Sequence, residues 1–250
     1  MKLDRNYIIK YIKDYAISKD YVYAMWLEGA DGLNQFDEYS DLDFWFDVED
    51  SKRDLFINNL VKHLSLLGKI DSRMNQKTSE IYQSNIHLEN TNEYLTIDLA
   101  AQNDSRDREA TCFTNGSITE IPKVIFDRKN IITFHEPYKI DKEKLNTIFE
   151  EKKNRILQYS RVIKYIKRNQ YLECFMEYEK QILKPLVTIA RIIYTPNIYD
   201  YELCHISRHL PKEVISNLEI LYKVNSFTDI EKNISLALEM LKSFEEEYKQ

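Results

Sequence analysis

Polar and apolar positions alternate most regularly from Asp41 to Val48: Leu42, Phe44, Phe46 and Val48 fall on one face, Asp41, Asp43 and Asp47 on the other. Residues two apart on a strand point the same way, so the pattern predicts a half-buried strand that opens with two carboxylates side by side. Asp47, further along that face, reads as a surface residue. Tyr21 to Leu27 is aromatic and β-branched enough for a buried strand upstream, joined to the next by a turn through Gly29 to Gly32 and a polar loop to Ser40. Residues 3–18 place Ile8, Ile9, Tyr11, Ile12, Tyr15 and Ala16 at helical spacing. Ser51 reads as the N-cap of a helix carrying Leu55, Phe56, Leu60, Leu64 and Leu67, ended by Gly68. Further strands are expected near Ile70–Met74, Ile81–Leu88 and Tyr94–Ala101. In the last of these, Thr96 and Asp98 alternate with Leu95, Ile97 and Leu99. Val124–Phe126 and Ile131–Phe134 flank a turn-like Asp127-Arg128-Lys129-Asn130.

After Pro137 the period changes from two to that of a helix. Asp141 to Asn169 reads as one long amphipathic helix. Leu172 to Tyr194 reads as a second, kinked at Pro185. Shorter helices are expected around Tyr201–His209 and from Pro211 at a first helical position, with a last one over Thr228–Tyr248. The predicted fold class is α+β: an N-terminal mixed β-sheet with flanking helices over residues 1–138, then an all-helical bundle over 139–250.

Composition narrows the classes. At 250 residues the chain can bury a real core, and its formal net charge of −6 argues against a nonspecific nucleic-acid binder. Only four glycines are present, which excludes a Gly-rich Rossmann or Walker phosphate loop. The three cysteines, Cys112, Cys174 and Cys204, are widely spaced and read as reduced thiols, and no stretch has the length of a membrane span. The expectation is a cytoplasmic protein. Oligomeric state is open, with a dimer compatible.

The chemistry concentrates on the carboxylates. Two of them on a rigid strand repel unless a cation lies between, and oxygen donors at that spacing suit Mg²⁺ with the phosphates of a substrate. An EF-hand reading of Asp37, Asp41 and Asp43 fails, because Leu42 stands where that loop needs glycine. His205 and His209 have a spacing that zinc sites use, but they lack an HExxH and a third ligand and read as ordinary histidines. Glu173 and Glu177 share a helical face and could meet a cationic acceptor; a solvated face is the commoner meaning.

The stretch from Trp26 to Asp47 resembles the signature of the nucleotidyltransferase superfamily, the DNA polymerase β-like fold. That signature is a strand, a Gly-Ser turn, a spacer and Asp-x-Asp on the next strand. Gly29 matches the glycine, and Asp41 and Asp43 match the acidic pair, with Ser40 just before it; Ala30 stands where the family usually has serine. Within the superfamily, the resemblance is to the antibiotic nucleotidyltransferases of the aminoglycoside and lincosamide type. It implies a catalytic domain followed by a helical substrate-binding domain. The nucleotide would lie at Gly29, Ala30 and Ser40, and two Mg²⁺ ions on Asp41, Asp43 and a third carboxylate that Asp98 matches in order and context. The implied reaction moves a nucleoside monophosphate, AMP by preference, from an NTP to a hydroxyl of a small molecule. Lys180, Lys184 and Arg191 are candidates to face the triphosphate, each equally readable as part of a solvated helix face. Two alternatives stand beside this: a member of the fold that modifies a protein partner, and a catalytically silent nucleotide binder.

Overall fold

The computed structural model describes residues 3–249. The chain divides into two compact units, one running to Tyr138 and the other starting at Lys139. The first unit is built on a six-stranded mixed sheet. Its elements are α1 (Arg5–Ile17), β1 (Val22–Leu27), a single turn α2 (Gly29–Gly32), β2 (Leu42–Val48), α3 (Arg53–Leu64), β3 (Ile70–Lys77), β4 (Ile81–Leu88), β5 (Ile97–Asn103), β6 (Cys112–Thr114), β7 (Lys123–Asp127) and β8 (Thr133–His135). The strand order is β3-β4-β5-β2-β1-β7, with β2 and β5 parallel and every other neighbouring pair antiparallel.

The alternation along β2 decides what each face of the sheet does. Leu42, Phe44, Phe46 and Val48 join Met25, Leu27, Ile97, Leu99 and Ala101 in a core closed by Ile8 and Ile12 of α1 and by Phe56, Leu60 and Leu64 of α3. The opposite face is divided. One half is covered by a smaller apolar cluster in which Ala24 and Trp26 pack on Phe113 and Ile131. There β6 and β8 form a separate two-stranded parallel sheet. The other half carries the acidic residues.

Several expectations change. Val124–Phe126 and Ile131–Phe134 do not pair with each other: β7 adds to the edge of the main sheet beside β1, and β8 pairs with β6. Ser51 does not cap α3; its hydroxyl donates to Glu49 (2.6 Å), and a 3-10 turn over Asp50–Lys52 leads into the helix. Leu55 is exposed, while Ile57 and Val61 take the buried stripe.

In the second unit the long charged helix is broken into α4 (Lys142–Ile156) and α5 (Ser160–Lys167). Ile156 and Val162 are both fully buried. Residues six apart point about 120° from each other on one continuous helix, so a break lets both reach the core. The next helix is α6 (Tyr171–Tyr178), a wider π-type turn over Glu179–Leu183, and α7 (Lys184–Tyr194). Pro185 lies in the first turn of α7, where its missing N–H is tolerated. Short α8 (Ile206–His209), then α9 (Lys212–Tyr222) with Pro211 at its N-cap, and α10 (Phe227–Tyr248) complete the bundle. Among the described residues no helix is long and apolar enough to cross a membrane.

Candidate functional site

Parallel pairing sets Asp43 of β2 directly beside Asp98 of β5. Asn85 of β4 is the next partner along that line. On the other side, Glu28 follows the last residue of β1, and its N–H donates to the Asp43 carbonyl (3.0 Å). The row Glu28–Asp43–Asp98–Asn85 thus crosses four neighbouring strand positions on the face away from the main core. Trp26 and Trp45 stack beneath it (6.0 Å between centroids), and the Trp26 indole donates to Glu28 Oε1 (2.7 Å).

The electrostatics of this row are unfavourable in the absence of a cation. Burial pushes the Asp98 carboxyl up to about 6, and the charges of Asp43 and Asp41 add to it against a hydrogen bond from Asn85 Nδ2 (2.5 Å). Asp43 is also raised, by burial first and then by Asp41 and Asp31, with Arg5 opposing. Burial lifts Glu28 to about 7, with Glu120 and Asp43 contributing. These are shifts of carboxylates that face one another across a partly dry surface.

The turn between β1 and β2 explains its glycines. Gly29 has φ +57°, and a Cβ there would overlap the Asp43 carboxylate. Gly32 lies so close to the Ile121 carbonyl oxygen that no side chain fits between them. Both positions therefore require glycine, one for its dihedral and the carboxylate beside it, the other for the neighbouring backbone.

The remaining site candidates fall in different places. Asp41 is exposed, and its Oδ1 accepts from the Thr96 hydroxyl (2.5 Å) and the Thr96 N–H (3.3 Å). Ala30 lies in the turn, where its carbonyl accepts from the Gln35 N–H (2.8 Å). Ser40 directs its hydroxyl to Asp37 Oδ1 (2.9 Å), so it closes the loop locally. Among the described residues no three His, Cys, Asp or Glu side chains are gathered into a ready metal cage. The donor chemistry of Asp43 and Asp98 nonetheless fits a hard cation, since both are half-buried carboxylates raised first by burial and then by neighbouring acidic charge.

In the helical unit, Lys180 is exposed, and Lys184 is exposed and ion-paired with Glu179 (3.5 Å). Arg191 cannot face a triphosphate. It is fully buried, and its guanidinium donates to the carbonyls of Glu202 and Cys204 (2.5 Å each). Nor do Glu173 and Glu177 form an open acidic pair, because Glu177 is buried and accepts from Gln181 (2.9 Å) while Glu173 is exposed. His205 and His209 meet edge-on at 6.2 Å between ring centroids.

Three groups that the sequence pattern did not single out matter here. Arg5 of α1 donates to the carbonyls of Ser40 (2.6 Å) and Asp41 (2.7 Å) and pairs with the buried Asp31, tying both ends of the β1–β2 loop together. Lys123, at the start of β7, is 3.9 Å from Asp31. His87 sits between two acceptors, the Asp71 carboxylate on Nδ1 (2.7 Å) and the Asn92 carbonyl on Nε2 (3.0 Å). Asn92 in turn donates to the Glu38 carbonyl (3.3 Å), in the loop leading to Asp41. The run of arginines, lysines and histidines through the chain gives no sign of which one folds back onto this loop.

Asp47 corrects the sequence expectation in the other direction. It is fully buried rather than at the surface, and it accepts from Gln102 Nε2 (2.9 Å) and Arg108 (3.2 Å), while its Oδ1 has no partner.

The fold is α+β, a mixed sheet with flanking helices followed by a helical unit, with an acidic row on one sheet face beside the β1–β2 turn. No family model matches the chain, and no curated protein matches it. Among solved structures the chain is similar to an aminoglycoside 6-adenyltransferase from Bacillus subtilis, at 15% identity and a TM-score of 0.38, covering 98% of this chain and 90% of that one. It is also similar to a spectinomycin adenyltransferase from Enterococcus faecialis, solved with ATP and spectinomycin, at 12% identity and a TM-score of 0.30, covering 98% of each chain.

Proposed function

We propose that this protein is a Mg²⁺-dependent nucleotidyltransferase that moves a nucleoside monophosphate, AMP by preference, from an NTP to a hydroxyl of a small acceptor. The observation that carries the reading is the register pairing of Asp43 with Asp98 behind a glycine turn, two half-buried carboxylates raised by burial and by the acidic charges around them. Such a pair is costly unless a cation and its phosphate ligands complete it. When bound, Mg²⁺ supplies charge neutralisation for the phosphates at the attacking and leaving oxygens.

Asp43 and Asp98, with Asp41 at the rim, would hold the metal. The acceptor hydroxyl attacks the α-phosphorus, a new phosphoester bond forms, and the bond to the bridging oxygen breaks, releasing pyrophosphate. Asp98 would also serve as the base that takes the hydroxyl proton. The Gly29 turn brings backbone close to Asp43 and leaves Ala30 without a hydroxyl for the phosphate. Residues 139–250 would serve as a helical substrate-binding domain. A cationic, hydroxylated acceptor such as an aminoglycoside-type antibiotic suits the acid row and the net charge of −6.

The test measures pyrophosphate release with Mg²⁺, each NTP and a panel of hydroxylated acceptors. Turnover that drops by about 10³-fold or more in Asp43→Asn and Asp98→Asn is the expected result. Metal-dependent NTP binding without turnover on any acceptor would make the chain a silent binder. No NTP binding by the folded protein would end the reading.

A further inference from the structure

We propose that Lys123 is the side chain that meets the triphosphate at the rim of the β1–β2 turn, an assignment that rests on the nucleotidyl-transfer reading. A triphosphate brought against a row of carboxylates needs a cation at its far end, because the carboxylates repel whatever negative charge the metal leaves uncompensated. Arg191 cannot supply it, being sealed among backbone carbonyls of the helical unit.

Two cations of the sheet unit border the turn, and they differ in what they have left to give. Arg5 is 13% exposed; its two terminal nitrogens already serve the Ser40 and Asp41 carbonyls and the Asp31 carboxylate, and its Nε, though unpartnered, is buried away from the surface. It is a structural tie. Lys123 is 48% exposed, and its ammonium lies 3.9 Å from Asp31, beyond hydrogen-bond length. Its other contact is the face of Phe36, at 5.9 Å from the ring centroid. An ammonium carries three N–H donors, so Lys123 retains donors for a phosphate.

Its position is fixed by two independent contacts. Lys123 is the register partner of Leu27, the last residue of β1 before Glu28 and the turn. Two residues earlier, the Ile121 carbonyl presses against Gly32 at the other end of that turn. β7 therefore runs beside the turn and places Lys123 at its rim. Asp31, buried below and paired with Arg5, holds the ammonium near without neutralising it fully.

Calorimetric titration separates this assignment from the reading beneath it. Mg²⁺-ATP, AMP and inorganic tripolyphosphate are each titrated into the full chain, as wild type, Lys123→Met and Lys123→Arg. The expected result is that Lys123→Met weakens ATP and tripolyphosphate by about tenfold or more, leaves AMP unchanged, and is largely rescued in Lys123→Arg. Wild-type ATP affinity in a folded Lys123→Met would overturn the Lys123 assignment and leave nucleotide binding standing. Equal loss of AMP and ATP would also overturn it, by showing an effect on the fold and not on the phosphates. A wild type that binds none of the three overturns both.

Discussion

Asp43 and Asp47 stand four residues apart on one strand and point to one face of one sheet, yet their surroundings are opposite. Asp47 is sealed under the loop after β5, with Arg108 and Gln102 as partners. Asp104 extends that network to Lys129 (2.7 Å). Asp43 meets Asp98, Asp41 and Asp31, and the charges acting on Asp98 are both acidic. Arg5, the cation opposing this at Asp43, is itself committed to Asp31 and two carbonyls. At one end of the face a cation, Arg108, bonds directly to the buried carboxylate, although one oxygen of Asp47 stays unpartnered; at the other, no cation among the described residues bonds directly to Asp43. This contrast between the two ends of one strand is what the proposed metal and nucleotide site rests on.

Substitutions should separate the two ends. The largest effect expected is on function: Asp43→Asn abolishes metal-dependent nucleotide binding and turnover but leaves thermal stability equal or higher, because it removes a repelled charge. Asp47→Ala should do the reverse, lowering the unfolding free energy by about 1–3 kcal/mol and leaving nucleotide titrations unchanged, since Gln102 loses its acceptor inside the fold. A denaturation curve and a titration on each variant check both, and identical behaviour of the two would erase the contrast.

A smaller effect concerns pH. The folded pKa of Asp98, about 6, lies above its ordinary value of 3.8, so the native state holds the proton more tightly than the unfolded chain between those values. Metal-free stability should therefore fall as pH rises from 4 towards 7. Asp98→Asn should flatten that slope, as should added Mg²⁺. Urea midpoints at pH 4.5 and 7.5 read it.

The smallest effect belongs to His87. Both of its ring nitrogens face acceptors, so both bonds are satisfied only in the imidazolium, and its pKa is raised above 6.5 despite burial. Its contribution is complete below pH 6.5 and is lost as pH rises through the folded value. His87→Gln should lower stability at pH 6 by less than about 1 kcal/mol and have less effect at pH 8.5.

How much of this was legible in the sequence depends on the range of the contact. The face of Asp41 and Asp43 follows from alternation with Leu42 and Phe44, and Asp98 from its place between Ile97 and Leu99; these are local. Asp47 obeys the same alternation, and nothing local says that Phe113, Ile131 and the loop carrying Arg108 close over that end of the face. Arg5 looks like one more charge on an amphipathic helix until the loop ending at Asp41 folds against it. Arg191 was misread for the same reason: its acceptors are the carbonyls of Glu202 and Cys204, and backbone atoms leave no mark in a sequence. The helix expected over residues 141–169 breaks because two buried positions, Ile156 and Val162, lie out of phase, a detail that a long charged stripe hides.

The parallel register of β2 and β5 also dictates when the site can exist. The bonds from Asp41 to Thr96, Asp47 to Gln102 and Asp50 to Ser105 all span 55 residues of chain. No tight turn can join parallel neighbours, and the connection between β2 and β5 carries α3, β3 and β4. Closing so long a loop is entropically expensive and slow, and the carboxylates are strangers until it is done. A one-residue slip in that docking would turn the next strand's apolar set towards water, which the core forbids. The proposed site can therefore be complete only once β5 has docked: during refolding, metal-dependent nucleotide binding should rise no earlier than protection of the β5 amides.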